Sequence, residues 1–260
     1  MSSRSDFLES DVLRSSMWGV LRGIAVDTLI YPLDVVRIQQ QCTNDSKKCW
    51  MIAKKLFQDK GYSTFYRGIS PQLLRTGMKQ VWCWPMITGM PPLLNSYCLN
   101  GIQQQIITGV SIATVDAIVT TPLEKLKIFS ILTRKIPFSF VDVYQKGWQG
   151  FSAYWAKRSI NMVTFLIAQH YFRECNRKQN EELEPLLLIK TGTQVALAVS
   201  LVGAPFDMVN TIKQAHNVNF THLFSRHGLA HLYRGAPLFA TSLIIHNIAS
   251  VLVIEKLTRK

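Results

Sequence analysis

The stretch that decides the fold is YPLDVVRIQQQ, residues 31–41. At its heart are a proline, an acid two residues on, and a base three residues further: Pro32, Asp34 and Arg37. The chain uses this pattern twice more. TPLEKLKIFSI at 121–131 carries Pro122, Glu124 and Lys127, and APFDMVNTIKQ at 204–214 carries Pro205, Asp207 and Asn210. The third copy therefore has an amide where the others have a base. Four residues later stand Gln41, Ile131 and Gln214.

The match extends outward from these anchors. Thirteen residues before each proline is a glycine, at Gly19, Gly109 and Gly192, and nine before is a small residue, at Gly23, Ala113 and Ala196. Small residues four apart share a helix face and let backbones approach closely. A second element follows each anchor: GYSTFYRG ends at Gly68 and GLAHLYRG at Gly235, with Gly61 and Gly228 at matching offsets. The middle copy, Trp148 to Gly150, lacks the basic residue. A fixed internal period of this kind marks a repeat architecture. One domain over 1–260 is expected, with repeats at 10–98, 99–178 and 183–260. Each repeat reads as long helix, polar segment with a short helix, long helix. The long helices are expected near 12–39, 70–95, 102–132, 152–174, 186–214 and 236–257, and the short amphipathic ones near Lys48–Gln58, Phe138–Lys146 and Asn219–His227.

Composition bears on where such helices sit. Charged residues are only 17% of the 260, and apolar residues are 48%. No charged residue occurs from Gln80 to Val115 or from Gly235 to Ile254. A bilayer core needs roughly 20 helical residues, so the first run holds most of two spans, with Met90, Pro91 and Pro92 as the expected turn. A mean hydropathy of +0.11 and amphipathic helices keep a soluble helical bundle as the competing reading. The formal charge is +13. Nucleic acid is not an expected partner, because no helix-turn-helix, zinc-finger or RRM-like pattern accompanies the charge. Five cysteines without C-x-x-C spacing indicate neither a disulfide framework nor a metal site. The first ten residues lack an apolar core, so no cleaved secretory signal is expected. No nucleophile–base pair, phosphate loop or dinucleotide fingerprint points to an enzyme, and no cofactor is called for.

Proline, acid and base at these offsets on odd-numbered helices, with aromatic, base and glycine opening the even-numbered ones, resemble the mitochondrial carrier family over essentially the whole chain. The resemblance implies an all-α membrane protein: six transmembrane helices in three pseudo-threefold repeats, with short matrix-side helices. It implies a monomer in the mitochondrial inner membrane (of a host cell, if the source is an intracellular pathogen). It also implies that the acids pair with bases on neighbouring odd helices and close the matrix side. Asp34 would meet Lys127, Asp207 would meet Arg37, and Glu124 would face Asn210, where only a hydrogen bond can form. Gln41 and Gln214 would brace their pairs. Tyr66, Arg67, Gly68 and Tyr233, Arg234, Gly235 would hold a lipid, cardiolipin in the family, at helix N-termini suited to phosphate.

The physics agrees with a gate. Proline removes a helical hydrogen bond and bends the rod, so three helices bent at one depth can converge. Acid and base three residues apart lie on one face. The opposite end is poorly provided. Thr88 to Pro91 has no charge, His170 with Arg173 or Glu174 with Arg177 are alternatives on the fourth long helix, and Glu255 has Thr258 at its base position. Weak outer closure is expected. Lysines and arginines after the first long helix favour placing that side in the matrix.

Charges at mid-membrane depth are costly and therefore informative. Counted from Gly68, Gly150 and Gly235, the family's contact points fall on Arg75, Lys157 and Ser242; Lys79, Arg158 and His246 lie beside them, and Arg22 faces them from the first helix. Such cations suit phosphate or carboxylate. The expected function is transport of a small anionic metabolite by alternating access, most naturally exchange of a nucleotide such as ATP or ADP, with Trp82, Trp84 and Tyr154 as stacking surfaces. Asp27 and Asp116 leave room for a zwitterion. A carboxylate carrier, an amino-acid carrier and a non-transporting scaffold are the alternatives.

Overall fold

A computed structural model describes residues 3–42, 48–95, 97, 99–133, 147–179, 185–216 and 232–258. All regular structure among them is helical. The elements are α1 (Ser3–Cys42), α2 (Cys49–Lys60), a 3-10 segment (Gly61–Tyr66), α3 (Ile69–Asn95), α4 (Gly101–Thr133), α5 (Phe151–Gln179), α6 (Pro185–His216) and α7 (Ala236–Thr258). The six long helices coincide with the expected segments to within a few residues, except that α1 begins earlier. The short helix expected at 48–58 is α2. Those expected at 138–146 and 219–227 lie outside the described residues.

The long helices form a closed ring. α1 packs on α3, α3 on α4, α4 on α5, α5 on α6, α6 on α7, and α7 returns to α1. The three proline-bearing helices α1, α4 and α6 also touch one another, as helices bent toward a common axis must. Small residues set several crossings. A Cβ on Gly109 would lie 2.9 Å from Val163 of α5, and Ala113 and Ala196 are buried. Gly192 lets Asn247 of α7 come close enough for its Nδ2 to donate to the Gly192 carbonyl at 3.0 Å.

The turn expected at Met90–Pro92 is not there. α3 runs through both prolines to Asn95, and the chain reverses only before Gly101. The prolines fall in the last turns of the helix. The signals that restart the chain are local to residue 100: the Asn100 N–H donates to Gln103 Oε1 at 3.1 Å, half of a capping box.

α2 buries Ile52 and Leu56 against Val35, Val36 and Ile38 of α1 and Ile128 and Ile131 of α4. Its other side leaves Trp50, Met51 and Phe57 exposed. Two described helices, Gly101–Thr133 and Ile189–Ala215, are long and apolar enough to cross a membrane, and Ala236–Ala249 is a shorter apolar run.

Candidate functional site

The site begins at three glycines. Gly68, Gly150 and Gly235 all have φ near +80°, at 73°, 87° and 84°. That region favours glycine, since a Cβ is penalised there. Each sits against the proline-bearing helix of the next repeat, in cyclic order: Gly68 against Lys127 and Ser130 of α4, Gly150 against Gln214 of α6, and Gly235 against Arg37 and Gln41 of α1. The Tyr154 N–H donates to the Gly150 carbonyl and the Phe239 N–H to the Gly235 carbonyl, both at 3.0 Å. The middle copy thus has the same backbone geometry without the basic residue, because glycine and main-chain bonds build the turn.

The Tyr-Arg-Gly turns are also tied down by carbonyls. Tyr31 Oη donates to the Arg67 carbonyl at 2.6 Å, and Gln41 Nε2 reaches the Arg234 carbonyl at 3.5 Å. Tyr66 stacks on Tyr31, and Tyr233 is exposed.

Beneath the prolines, the three acids gather with their cations. Lys127 Nζ lies 3.1 Å from Asp34 Oδ2. Arg37 Nε lies 3.6 Å from Asp207 Oδ2, and its Nη2 lies 3.3 Å from Asp34 on its own helix. Gln41 Nε2 donates to Asp207 Oδ2 at 2.9 Å. Two aromatic rings add support, Phe239 under Arg37 and Tyr31 under Lys127.

The third position departs from expectation. Asn210 is fully buried, and neither of its amide atoms has a hydrogen-bond partner among the described residues. Glu124 instead takes Arg75 Nη1 at 2.9 Å and Lys157 Nζ at 3.6 Å. A buried carboxylate is stabilised far more by a cation than by an amide, and two cations are within reach. Gln214 braces no pair among the described residues: both its amide atoms are buried and have no hydrogen-bond partner there. Ile131 joins the hydrophobic cluster, and its carbonyl accepts from Gln39 at 3.1 Å.

One organising residue was missed by sequence reasoning. Gln72 on α3 is buried; its Oε1 accepts from Lys127 Nζ and Arg75 Nη2, both at 2.9 Å, and its Nε2 donates to Asp27 at 2.8 Å. It joins the ring of acids to the space above. It lies one turn after Gly68 and three residues before Arg75, and that spacing was the available signal.

The expected substrate cations divide into two groups. Arg75, Lys157 and Arg158 are engaged. Arg75 also donates to Tyr154 Oη at 3.4 Å, Lys157 lies 2.9 Å from Asp207 Oδ1, and Arg158 Nε pairs with Asp116 Oδ2. Tyr154 is fully buried with Oη 2.8 Å from Thr120, so it offers no face for stacking. Ser242 sends its hydroxyl back to the Leu238 carbonyl of its own helix. Asp27 accepts from Gln72 and Thr76 and carries no ion pair among the described residues. Arg22 and Lys79 form the second group. Neither has an acid partner among the described residues, and the Arg22 Nε is buried without a hydrogen bond. The fields of Arg22, Lys79 and Asp27 converge on His246. Around the ring of acids and the space above it, the described residues Arg22, Arg37, Arg75, Lys79, Lys127, Lys157 and Arg158 outnumber Asp27, Asp34, Asp116, Glu124 and Asp207 by two.

Among the described residues, no His, Cys, Asp and Glu cluster has a metal-binding arrangement. At the far end, His170 and Glu174 are exposed; the side chains of Arg173, Arg177, Glu255 and Trp84 lie outside those described.

Comparisons with known proteins point one way. A family model described as mitochondrial carrier protein matches residues 9–96. The mitochondrial arginine transporter BAC2 of Arabidopsis thaliana is 23% identical over 233 residues, covering 81% of this chain and 77% of that protein. Ring closure, the cyclic order of the glycine contacts and the two cross-helix ion pairs lie on the same residues that suggested the resemblance, and both the matched family model and the Arabidopsis relative point to the mitochondrial carrier family.

Proposed function

We propose that this chain carries a small anionic metabolite across the mitochondrial inner membrane by alternating access, as a monomer of six membrane-crossing helices in three repeats (10–98, 99–178 and 183–260). The observation that carries the anionic class is the pair Arg22 and Lys79: two cations inside the helix ring that form no ion pair with an acid among the described residues. Bringing a charge into low dielectric without a partner is expensive. A solute carrying two negative charges removes that cost and is bound by it. Support for six crossings is length, since the six helices have 23 to 40 residues and roughly 20 suffice. Polar residues on the inner faces explain why only some of them read as apolar throughout. With the ring of acids paired, the conformation is the one closed on the matrix side. The two Tyr-Arg-Gly turns are proposed to hold an anionic lipid headgroup, cardiolipin in this membrane; in a source that is an intracellular pathogen the membrane is the host's.

A nucleotide such as ATP or ADP, moved by exchange, is the finer reading. Its support is the charge excess and Trp82, one turn beyond Lys79, whose indole N–H is buried and unpartnered. A second reading has its own observation. Asp27 carries no ion pair beside Arg22, Lys79 and His246. An amino acid could place its ammonium there and its carboxylate on the two bases, and the Arabidopsis relative is named as an arginine transporter.

Liposomes containing the purified protein, loaded and challenged with labelled nucleotides, carboxylates and amino acids, decide among these. Uptake of an anion that falls at least about tenfold in Arg22→Ala and Lys79→Ala is the expected result. Uptake indifferent to both substitutions would remove the site, and no uptake of any class by folded protein would favour a scaffold.

A further inference from the structure

The three proline-bearing helices α1, α4 and α6 need three links to hold one end of the ring shut. α1 and α4 are joined by Asp34 and Lys127, and α1 and α6 by Arg37 and Asp207. Between α4 and α6 the repeat offers Glu124 and Asn210, and that contact is not made. Yet one ammonium touches both helices. Lys157 Nζ, from α5, lies 2.9 Å from Asp207 Oδ1 on α6 and 3.6 Å from Glu124 Oε1 on α4. Arg75 also meets Glu124 but touches no acid of α6, so it cannot make this link. We propose that Lys157 is the base of the third gate link, supplied from α5, a helix without the proline motif, in place of the base missing at position 210.

Three acids with only Arg37 and Lys127 would leave one buried carboxylate short of a cation, and an uncompensated buried charge is strongly destabilising. Arg75 and Lys157 both supply charge to Glu124, and of the two Lys157 is the one that also reaches Asp207 on α6. The substitution also changes how the link opens. The other two links come apart only when α1 moves from α4 or α6. Lys157 sits between the acids and the space above, with its Nζ over the Tyr154 ring at 5.9 Å. An anionic group that draws Lys157 upward releases α4 from α6 without either helix moving first. The proposal rests on the carrier reading for its word gate; the link itself does not.

Relocation tests it. Unfolding midpoints of the full chain in detergent, without solute, are compared for wild type, Lys157→Gln, Asn210→Lys and the double variant. Lys157→Gln is expected to lower the midpoint by on the order of 5–10 °C. A lysine at 210, at the offset from proline that Arg37 and Lys127 share, should restore at least half of that loss in the double variant and nothing in wild type. Lys157→Arg should stay near wild type, which a merely space-filling role would not predict. Lys157→Gln with Glu124→Gln is the second rescue, removing the cation together with one acid it serves. If Lys157→Gln does not fold, folding of either double variant supports the link. Failure of both rescues, or additive losses, overturns it. Because the midpoints need no solute, a wild type that transports nothing counts against the carrier reading and leaves the link standing. Normal transport with neither rescue effective counts against the link alone.

Discussion

Two places in the ring of acids occupy equivalent positions in the repeat and behave differently. Between α1 and α4, Lys127 Nζ meets Asp34 at 3.1 Å, accepts the support of Tyr31 below, and is 2% exposed. Between α4 and α6, Asn210 is equally buried and its side chain finds no hydrogen-bond partner among the described residues, while a cation reaches both acids from α5. The lesson concerns what a repeat conserves physically. Position relative to the proline is enough to place a side chain in the ring. Whether it carries part of the closure depends on whether its chemistry can satisfy a buried carboxylate, and an amide in that place is replaced by the nearest ammonium.

Substitutions can break this contrast or sharpen it. The largest effect is expected from Lys127→Gln, which strips Asp34 of its cross-helix partner and Gln72 of a donor; a loss of about 3 kcal/mol should appear in chemical or thermal unfolding. Little or no loss there would mean that Arg37 alone holds Asp34. Next comes Gly235→Ala, where φ is 84° and the new Cβ would meet Arg37 Cγ at 3.1 Å. A cost of about 2 kcal/mol combines the backbone penalty with displacement of a gate base. Gly61→Ala shares a positive φ but meets nothing within 4 Å, so it should cost only about 1 kcal/mol. Gln41→Ala removes a hydrogen bond to the Asp207 carboxylate and should cost about 1.5 kcal/mol. Smallest of all should be Gln214→Ala and Asn210→Ala, within about 0.5 kcal/mol of wild type or slightly stabilising, since each deletes buried polar atoms without a hydrogen-bond partner among the described residues. A loss above about 1.5 kcal/mol in either would reveal a partner at that position and erase the asymmetry.

Much of this was legible beforehand. The six long helices follow from offsets around three prolines and from uncharged runs, while the partners found for Asp34 and Asp207 and the contact of Gln41 with Asp207 are the ones the family resemblance implied. What spacing hid falls into two kinds. The turn expected at Met90–Pro92 failed because two prolines near a helix end resemble a breaker, while the restart is set by Asn100 and Gln103. The partners of Glu124, the role of Gln72 and the engagement of Tyr154 failed for a different reason. Each depends on contacts among α3, α4, α5 and α6, where no offset along one helix says which side chain of another lies nearest.

The sequence by itself therefore determined where the long helices lie and which charged residues recur at equivalent offsets on them, because proline positions, small-residue faces and uncharged runs act locally or along one helix. Only the tertiary structure decided the pairing. Ion pairs between buried groups form by distance and desolvation, both properties of the assembled ring, and they turned three nominally equal copies into two direct links and one borrowed from α5.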